Sequence, residues 1–282
     1  MKSSFWAVLG LTLLAGFSAA DFACAQDAAK TDAPKADAAK TDAPKTDAPK
    51  TDAAKTDAPK PCDVPAYLLS SESALPKVAA AVKAGQPLTI LVVGSRSSTI
   101  GASEASAYPA RLQAALKEQL PQVPINLSVE LQTSKTAEEV DTTLVKLMEA
   151  KRPTLVIWQT GTVDAMRSID PDDFRSAVDD GVVALQNAGA DVILVNLQYS
   201  PRTETMISAP PYLDNMRVVA QQHEVPLFDR FAIMRHWNEA GDFDLFSTSH
   251  GVDLAKRVHA CLGRALSKFV LGAARLDATQ QN

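Results

Sequence analysis

The stretch 88–112, LTILVVGSRSSTIGASEASAYPARL, holds the residues best suited to chemistry. An apolar, β-branched run from Leu88 to Val93 stops at Gly94. The hydroxyls of Ser95, Ser97, Ser98 and Thr99 follow, and a helix opens near Tyr108-Pro109. A strand that hands serines to a turn at the carboxyl edge of a sheet places them where open α/β folds keep their sites. The question such a turn poses is whether one serine is a nucleophile. The plain alternative is that the hydroxyls satisfy turn and helix-start N–H groups. Two further strand ends are polar. Gln159-Thr160-Gly161-Thr162-Val163-Asp164 follows the apolar run LVIW, and Phe243 to Asp253, FDLFSTSHGVD, brings His250 and Asp253 up to the last helix.

The elements that must position these groups alternate. Helices are expected over 74–84, 109–120, 137–150, 171–188, 211–223 and about 252–271. Strands are expected over 88–93, 125–131, 154–158, 191–197 and 225–228. Val140, Leu144 and Leu147 share a helical face, as do Phe174, Val178 and Val182. Thr136 with Glu139 three residues on reads as a capping box. Strands alternating with helices of this length imply an α/β domain: three α/β/α layers around a mostly parallel, five-stranded sheet.

Composition bounds the rest. Lys2 and the apolar run Phe5 to Phe17, followed by Ala23-Cys24-Ala25, read as a secretory signal peptide over residues 1–25. Residues 26–61 form a linker built on a repeated Thr-Asp-Ala-Pro-Lys unit. It has no large side chain to bury, so disorder is expected, and association with the cell envelope is the sharper role open to it. A globular domain spans 62–275 and a disordered tail 276–282. No later run approaches the ~20 apolar residues of a membrane span, which points to a periplasmic or secreted protein. The net charge of −5 and the lack of basic helices argue against nucleic acid. With Cys24 in the leader, Cys62 and Cys261 remain. In an oxidising compartment they read as a disulfide tying the domain's ends, the alternative being two buried thiols. No ligand spacing indicates a metal, and no glycine-rich phosphate loop indicates a cofactor.

An early serine turn, a mid-chain Gly-Thr-x-Asp and a late His/Asp pair, in this order, resemble the SGNH or GDSL-type esterase and lipase family over Leu88 to Leu271. The resemblance implies the flavodoxin-like SGNH-hydrolase fold and serine-dependent hydrolysis of esters. In the family a serine after strand one attacks the carbonyl and a histidine before the last helix, oriented by an aspartate three residues earlier, takes the proton. A glycine after strand two and an asparagine after strand three help to hold the oxyanion.

Carried onto this chain, the serine block is Gly94-Ser95-Arg96-Ser97-Ser98-Thr99, one residue longer than Gly-Asp-Ser-x-Thr, with Ser97 the leading nucleophile ahead of Ser98 and Ser95. The second block lacks glycine, and Thr133 or Ser134 stands in as donor. The third is Gly161-Thr162-Val163-Asp164, with valine at the asparagine position. In the last block His250 and Asp253 exchange the family's order. Either Asp253 is the base, or His250 is, with Asp242 or Asp244 orienting it. His223, His236 and His259 read as structural. Arg202 is placed to hold an anionic or sugar substrate, and Asp229 with Arg230 reads as a local pair. Two functions follow: an exported esterase acting on small acyl or carbohydrate O-acyl groups, or a family member that binds a cell-envelope glycan or acylated ligand without hydrolysing it. The partner in either case is a small-molecule ester or glycan.

Overall fold

The computed structural model describes residues 62–101, 103–246 and 251–276. The signal peptide, the repeat linker, His250 and residues 277–282 of the tail lie outside the described residues. Two short leading helices, α1 (Ala66–Leu69) and α2 (Pro76–Lys83), precede β1 (Leu88–Gly94). Two single 3-10 turns, Arg96–Ser98 and Glu104–Ser106, lead to α3 (Tyr108–Gln119), β2 (Ile125–Leu131), α4 (Ala137–Lys151) and β3 (Leu155–Gln159). The chain continues through α5 (Thr162–Met166), α6 (Pro171–Asn187), β4 (Asp191–Val195), α7 (Pro201–Met206) and α8 (Pro210–Gln222). It closes with β5 (Leu227–Phe228), α9 (Arg230–Glu239) and α10 (Gly251–Ala273).

The sheet is wholly parallel, in the order β2-β1-β3-β4-β5. Right-handed crossovers then dictate the layers. The step from β1 out to β2 runs one way and every later step runs the other. So α3 lies on one face, and α4, α6 and α8 lie on the opposite one. α10 returns to pack on α3, while α4, α6 and α8 pack in a row. The reversal between β1 and β3 is the topological switch point, where a crevice opens beyond the strands' carboxyl ends. Val93 pairs with Trp158, so Gly94 and Gln159 end their strands side by side and the serine turn starts next to Gln159.

Burial follows position in the sheet. Every residue of central β3 and β4 is buried, whereas edge strand β2 has exposed residues, among them Val129 and Leu131. The close approach of α10 to α3 depends on Gly263, where an added Cβ would meet the Arg111 carbonyl carbon and the Leu112 nitrogen at 2.9 Å. Cys62 and Cys261 form a disulfide, with Cα atoms 5.4 Å apart, that fastens the domain's first described residue to α10. No helix of the described residues is long and apolar enough to cross a membrane.

The Thr136/Glu139 capping box forms at the head of α4. The expected strand over 191–197 ends early, at Val195, because its edge partner β5 has only two residues, Leu227 and Phe228. α1, α5, α7 and α9 were not among the expected helices; the first three are shorter than periodicity needs.

Candidate functional site

The serine turn is organised by Gln159, the last residue of β3, which is buried at the switch point. Its Oε1 accepts from Ser98 Oγ (2.7 Å), Arg230 Nη1 (2.9 Å) and the Tyr108 hydroxyl (3.1 Å). Its Nε2 donates to Ser95 Oγ (2.8 Å) and Ser97 Oγ (2.9 Å). A guanidinium can only donate, so Arg230 fixes which end of the amide is oxygen. The serines thereby take different roles. Ser98 is buried and its hydroxyl is spent on Gln159. Gly94 makes room for it, since a Cβ there would collide with the Ser98 side chain. Ser97 Oγ receives Gln159 Nε2 and also Arg230 Nη1 at 3.3 Å, with Ser95 Oγ 3.2 Å away. No serine side chain caps the first 3-10 turn; the hydroxyls converge on Gln159 instead.

Arg230 is not paired with Asp229. Asp229 caps α9, its Oδ1 accepting from Ala232 N–H (2.9 Å) and Asn196 Nδ2 (2.7 Å), and its Oδ2 meets Arg217 Nη2 at 3.2 Å. Asn196, fully buried just beyond β4, also accepts the Phe231 N–H at 2.9 Å. The first turn of α9 is pinned from both sides, and Arg230 turns into the interior, where it is 1% exposed. Burial pulls its pKa down to about 10 against an opposing pull from the Tyr108 phenol, so it stays a cation at neutral pH. Its Nε and Nη2 are buried without a hydrogen-bond partner.

His259, from α10, accepts the Tyr108 N–H on Nδ1 at 3.0 Å. It supplies a partner for one of the donors that the first turn of α3 leaves free. An N–H must donate, so Nδ1 is unprotonated and the neutral ring carries its proton on Nε2. Burial, helped by Arg230, lowers the His259 pKa to about 4. The ring is therefore a neutral hydrogen-bond donor toward the cavity it lines. It cannot take a proton on Nε2 while it keeps Tyr108. Burial raises the Tyr108 phenol's pKa, so its hydroxyl stays a donor to Gln159.

Ser97, Arg230 and His259 line one cavity of about 190 Å³, with Gln198, Tyr199 and Gly251 among its other walls. On the far side of the serine turn lies a tight cleft lined by Gly94, Ser95, Gln132, Gly161, Thr162 and Asp164. Gly161 takes φ +93°, and Leu197 Cδ1 would stand 2.6 Å from a Cβ there. Asp164 is buried and holds the Ala137 N–H at 2.8 Å, which ties this turn to the head of α4. Burial raises its pKa against the pull of those backbone donors. Thr162 Oγ1 accepts from Gln198 N–H at 3.3 Å.

A family model described as "Non-GDSL lipase-like family" matches residues 61–276. The chain belongs to the non-GDSL lipase-like family. Solved structures share its fold. A two-domain esterase (CEX) active on acetylated mannans is 17% identical with a TM-score of 0.58; the match covers 75% of this chain and 57% of that one. Axe2, an acetylxylan esterase from Geobacillus stearothermophilus whose structure is that of an S15A catalytic mutant, is 16% identical with a TM-score of 0.52, covering 65% of this chain and 94% of that one. TesA is 19% identical with a TM-score of 0.51, covering 64% and 99%. At such identities the likeness is one of fold, the α/β/α architecture of SGNH hydrolases. No curated protein matches the sequence.

Within this lipase-like framework the sequence-derived candidates scatter. Ser97 sits on the cavity wall, and Gly94, Gly161, Thr162 and Asp164 gather at the cleft. Thr133 is exposed and is not among the cleft's walls, where Gln132 and Lys135 stand instead. Arg202 is exposed too, and its guanidinium lies over the Phe246 ring, 5.6 Å from the centroid. Asp253 is exposed on the first turn of α10, 3.7 Å from Lys256 Nζ, and does not line the cavity. The burial that would make it a base is missing. His250 lies outside the described residues; Gly251, which follows it, lines the cavity. The residues missed by sequence reasoning are Gln159, Arg230, Tyr108, His259 and Asn196. A polar residue ending an otherwise apolar strand was the available signal for Gln159 and Asn196.

Proposed function

We propose that this chain is an exported ester hydrolase for small acyl or carbohydrate O-acyl esters, with Ser97 as nucleophile. What carries this reading is the setting of the Ser97 hydroxyl. On the wall of a cavity of about 190 Å³ it accepts from Gln159 Nε2 at 2.9 Å and from the Arg230 cation at 3.3 Å. Donors on the oxygen stabilise the negative charge that grows there as its proton leaves. Ser97 Oγ attacks the ester carbonyl, its proton passes to a base and then to the departing alcohol, and water releases the acyl group from the serine. His259 is excluded as that base by its tautomer, so the base is His250, one residue before cavity-lining Gly251. Export through residues 1–25 and the spacer 26–61 put the domain outside the cytoplasm, in the periplasm or beyond.

The test is p-nitrophenyl acetate hydrolysis by the purified protein. Ser97→Ala is expected to lower kcat/KM by ~10³ or more, with Ser95→Ala within about tenfold of wild type. Hydrolysis by Ser97→Ala at the wild-type rate rejects the reading. A second reading, a binding protein without turnover, is favoured by Val163: losing one oxyanion donor costs ~10²–10³ in rate. A folded protein with neither turnover nor Ser97-dependent labelling by an organophosphate would support it.

A further inference from the structure

With Ser97 as the nucleophile, attack takes place on the cavity side of the serine turn, and the donors that the family resemblance implies stand on the other side. Gly161, Thr162 and Val163 line the tight cleft with Ser95, and none of them lines the cavity that Ser97 shares. Val163 has no side-chain donor in any case. The Ser98 N–H turns back onto the Ser95 carbonyl at 2.9 Å. Gln159 Nε2 and Arg230 Nη1 already donate to the Ser97 oxygen. Negative charge that forms on an ester's carbonyl oxygen in this cavity needs a donor from another wall.

His259 has the form of such a donor. Its Nδ1 accepts the N–H of Tyr108, the first residue of α3, at 3.0 Å. The proton of the neutral ring therefore sits on Nε2. Nε2 has no hydrogen-bond partner among the described residues, yet it is not one of the side-chain atoms that burial leaves unpaired. It meets the open space of the cavity that the ring lines. Burial first and Arg230 second lower the pKa of the ring to about 4, so it stays neutral where the enzyme would work. A neutral imidazole whose proton is fixed on the nitrogen facing the site polarises a carbonyl without being consumed as an acid. Met234, Val258 and Leu262 line the same space, and apolar walls strengthen a hydrogen bond made beside them.

We propose that His259 is a catalytic residue of the Ser97 reaction, the reading on which its assignment rests, and that its Nε2–H donates to the carbonyl oxygen of the ester under attack. As Ser97 Oγ bonds to the carbonyl carbon, the carbonyl π pair moves onto the oxygen and the hydrogen bond from Nε2 tightens, with its proton staying on nitrogen. When the alcohol leaves, the pair returns to the carbonyl and the same donor serves the attack of water on the acyl group. The base is a separate group throughout.

Two replacements separate this role from a structural one. In His259→Asn the side-chain oxygen takes the place of Nδ1 and can keep the Tyr108 N–H, but nothing reaches the place of Nε2. In His259→Gln the longer side chain carries its amide to the place of Nε2. Folded His259→Asn is expected to lose ~10²–10³ in kcat on p-nitrophenyl acetate, with KM within about threefold of wild type. His259→Gln should regain about tenfold of that loss or more. A His259→Asn kcat within about threefold of wild type, or equal losses in the two variants, overturns the proposal. Should neither variant fold, or should wild type turn nothing over, nuclear magnetic resonance of the wild-type His259 ring with acetamide, an uncharged carbonyl ligand, decides. Acetamide that shifts the Met234 methyl signal must also shift the Nε2–H. An unmoved Nε2–H, a ring proton found on Nδ1, or a Met234 methyl that never responds overturns the proposal. A responding Nε2–H in a protein without turnover leaves His259 as the cavity's carbonyl donor and rejects only the hydrolytic reading.

Discussion

One carboxamide, Gln159, holds Ser95, Ser97, Ser98, Tyr108 and Arg230, and beside that network His259 is kept neutral. The histidine's pKa falls from 6.5 to about 4, through burial first and Arg230 second. A histidine depressed in the folded state is protonated more readily in the unfolded chain, so acid favours unfolding. Its contribution to stability is whole above about pH 6.5 and declines as the pH drops toward 4. At ~1.36 kcal/mol per pH unit this amounts to about 3 kcal/mol. Chemical denaturation at pH 7 and pH 4.5 is expected to show a fall in stability that is ~2 kcal/mol smaller in His259→Gln. Equal falls in the two proteins would sink this account of the buried ring. The sequence disclosed a serine cluster but could not say which serine reacts. That distinction is made by Gln159, Arg230 and His259, which arrive from three different elements, and each alone looks like a helix or strand-end residue.

At the scale of elements, the alternation of apolar runs with amphipathic segments was enough to read the parallel sheet and its longer helices, but not α9, which carries Arg230. Val140, Leu144, Phe174, Val178 and Val182 are buried as their spacing requires. Less legible was how closely two helices approach. Periodicity finds the face of α10, but the distance to α3 is set by Gly263 against the Arg111–Leu112 backbone. That approach brings His259 to Tyr108, one helical turn before Gly263. Gly263→Ala would gain up to ~1 kcal/mol of helix propensity and lose ~1–3 kcal/mol to overpacking. A net loss of stability in urea is expected, along with a weaker Tyr108–His259 bond and a His259 pKa closer to ordinary. A more stable Gly263→Ala protein would show that α10 has slack there. Arg230 was misread for a related reason. Adjacent Asp and Arg suggest a pair, but Asp229 is committed to capping α9 and to Arg217, and the helix start then swings Arg230 inward.

For the whole molecule, the disulfide closes a loop of 199 residues around the sheet. In the chain-entropy view a loop of this length stabilises by about 5 kcal/mol by restricting the unfolded chain. Reduction under native conditions, or the Cys62→Ala/Cys261→Ala pair, is expected to lower the urea midpoint markedly. An unchanged midpoint would mean that the packing of α10 on α3 alone holds the domain's end. The switch point between β1 and β3 gathers the serine turn, the Gly161 turn and Gln159 at one edge, and this much of the site was foreseeable from strand order. The cavity beneath α9 and α10 was not, because its walls are apolar side chains far apart in sequence, such as Met234 and Leu262. The most direct measurement is mass spectrometry of the folded protein after exposure to diethyl p-nitrophenyl phosphate. One diethylphosphoryl adduct on Ser97, lost in Ser97→Ala, is the expected result; an adduct on Ser95 or Ser98 instead, or none on a folded protein, would contradict Ser97 as the nucleophile.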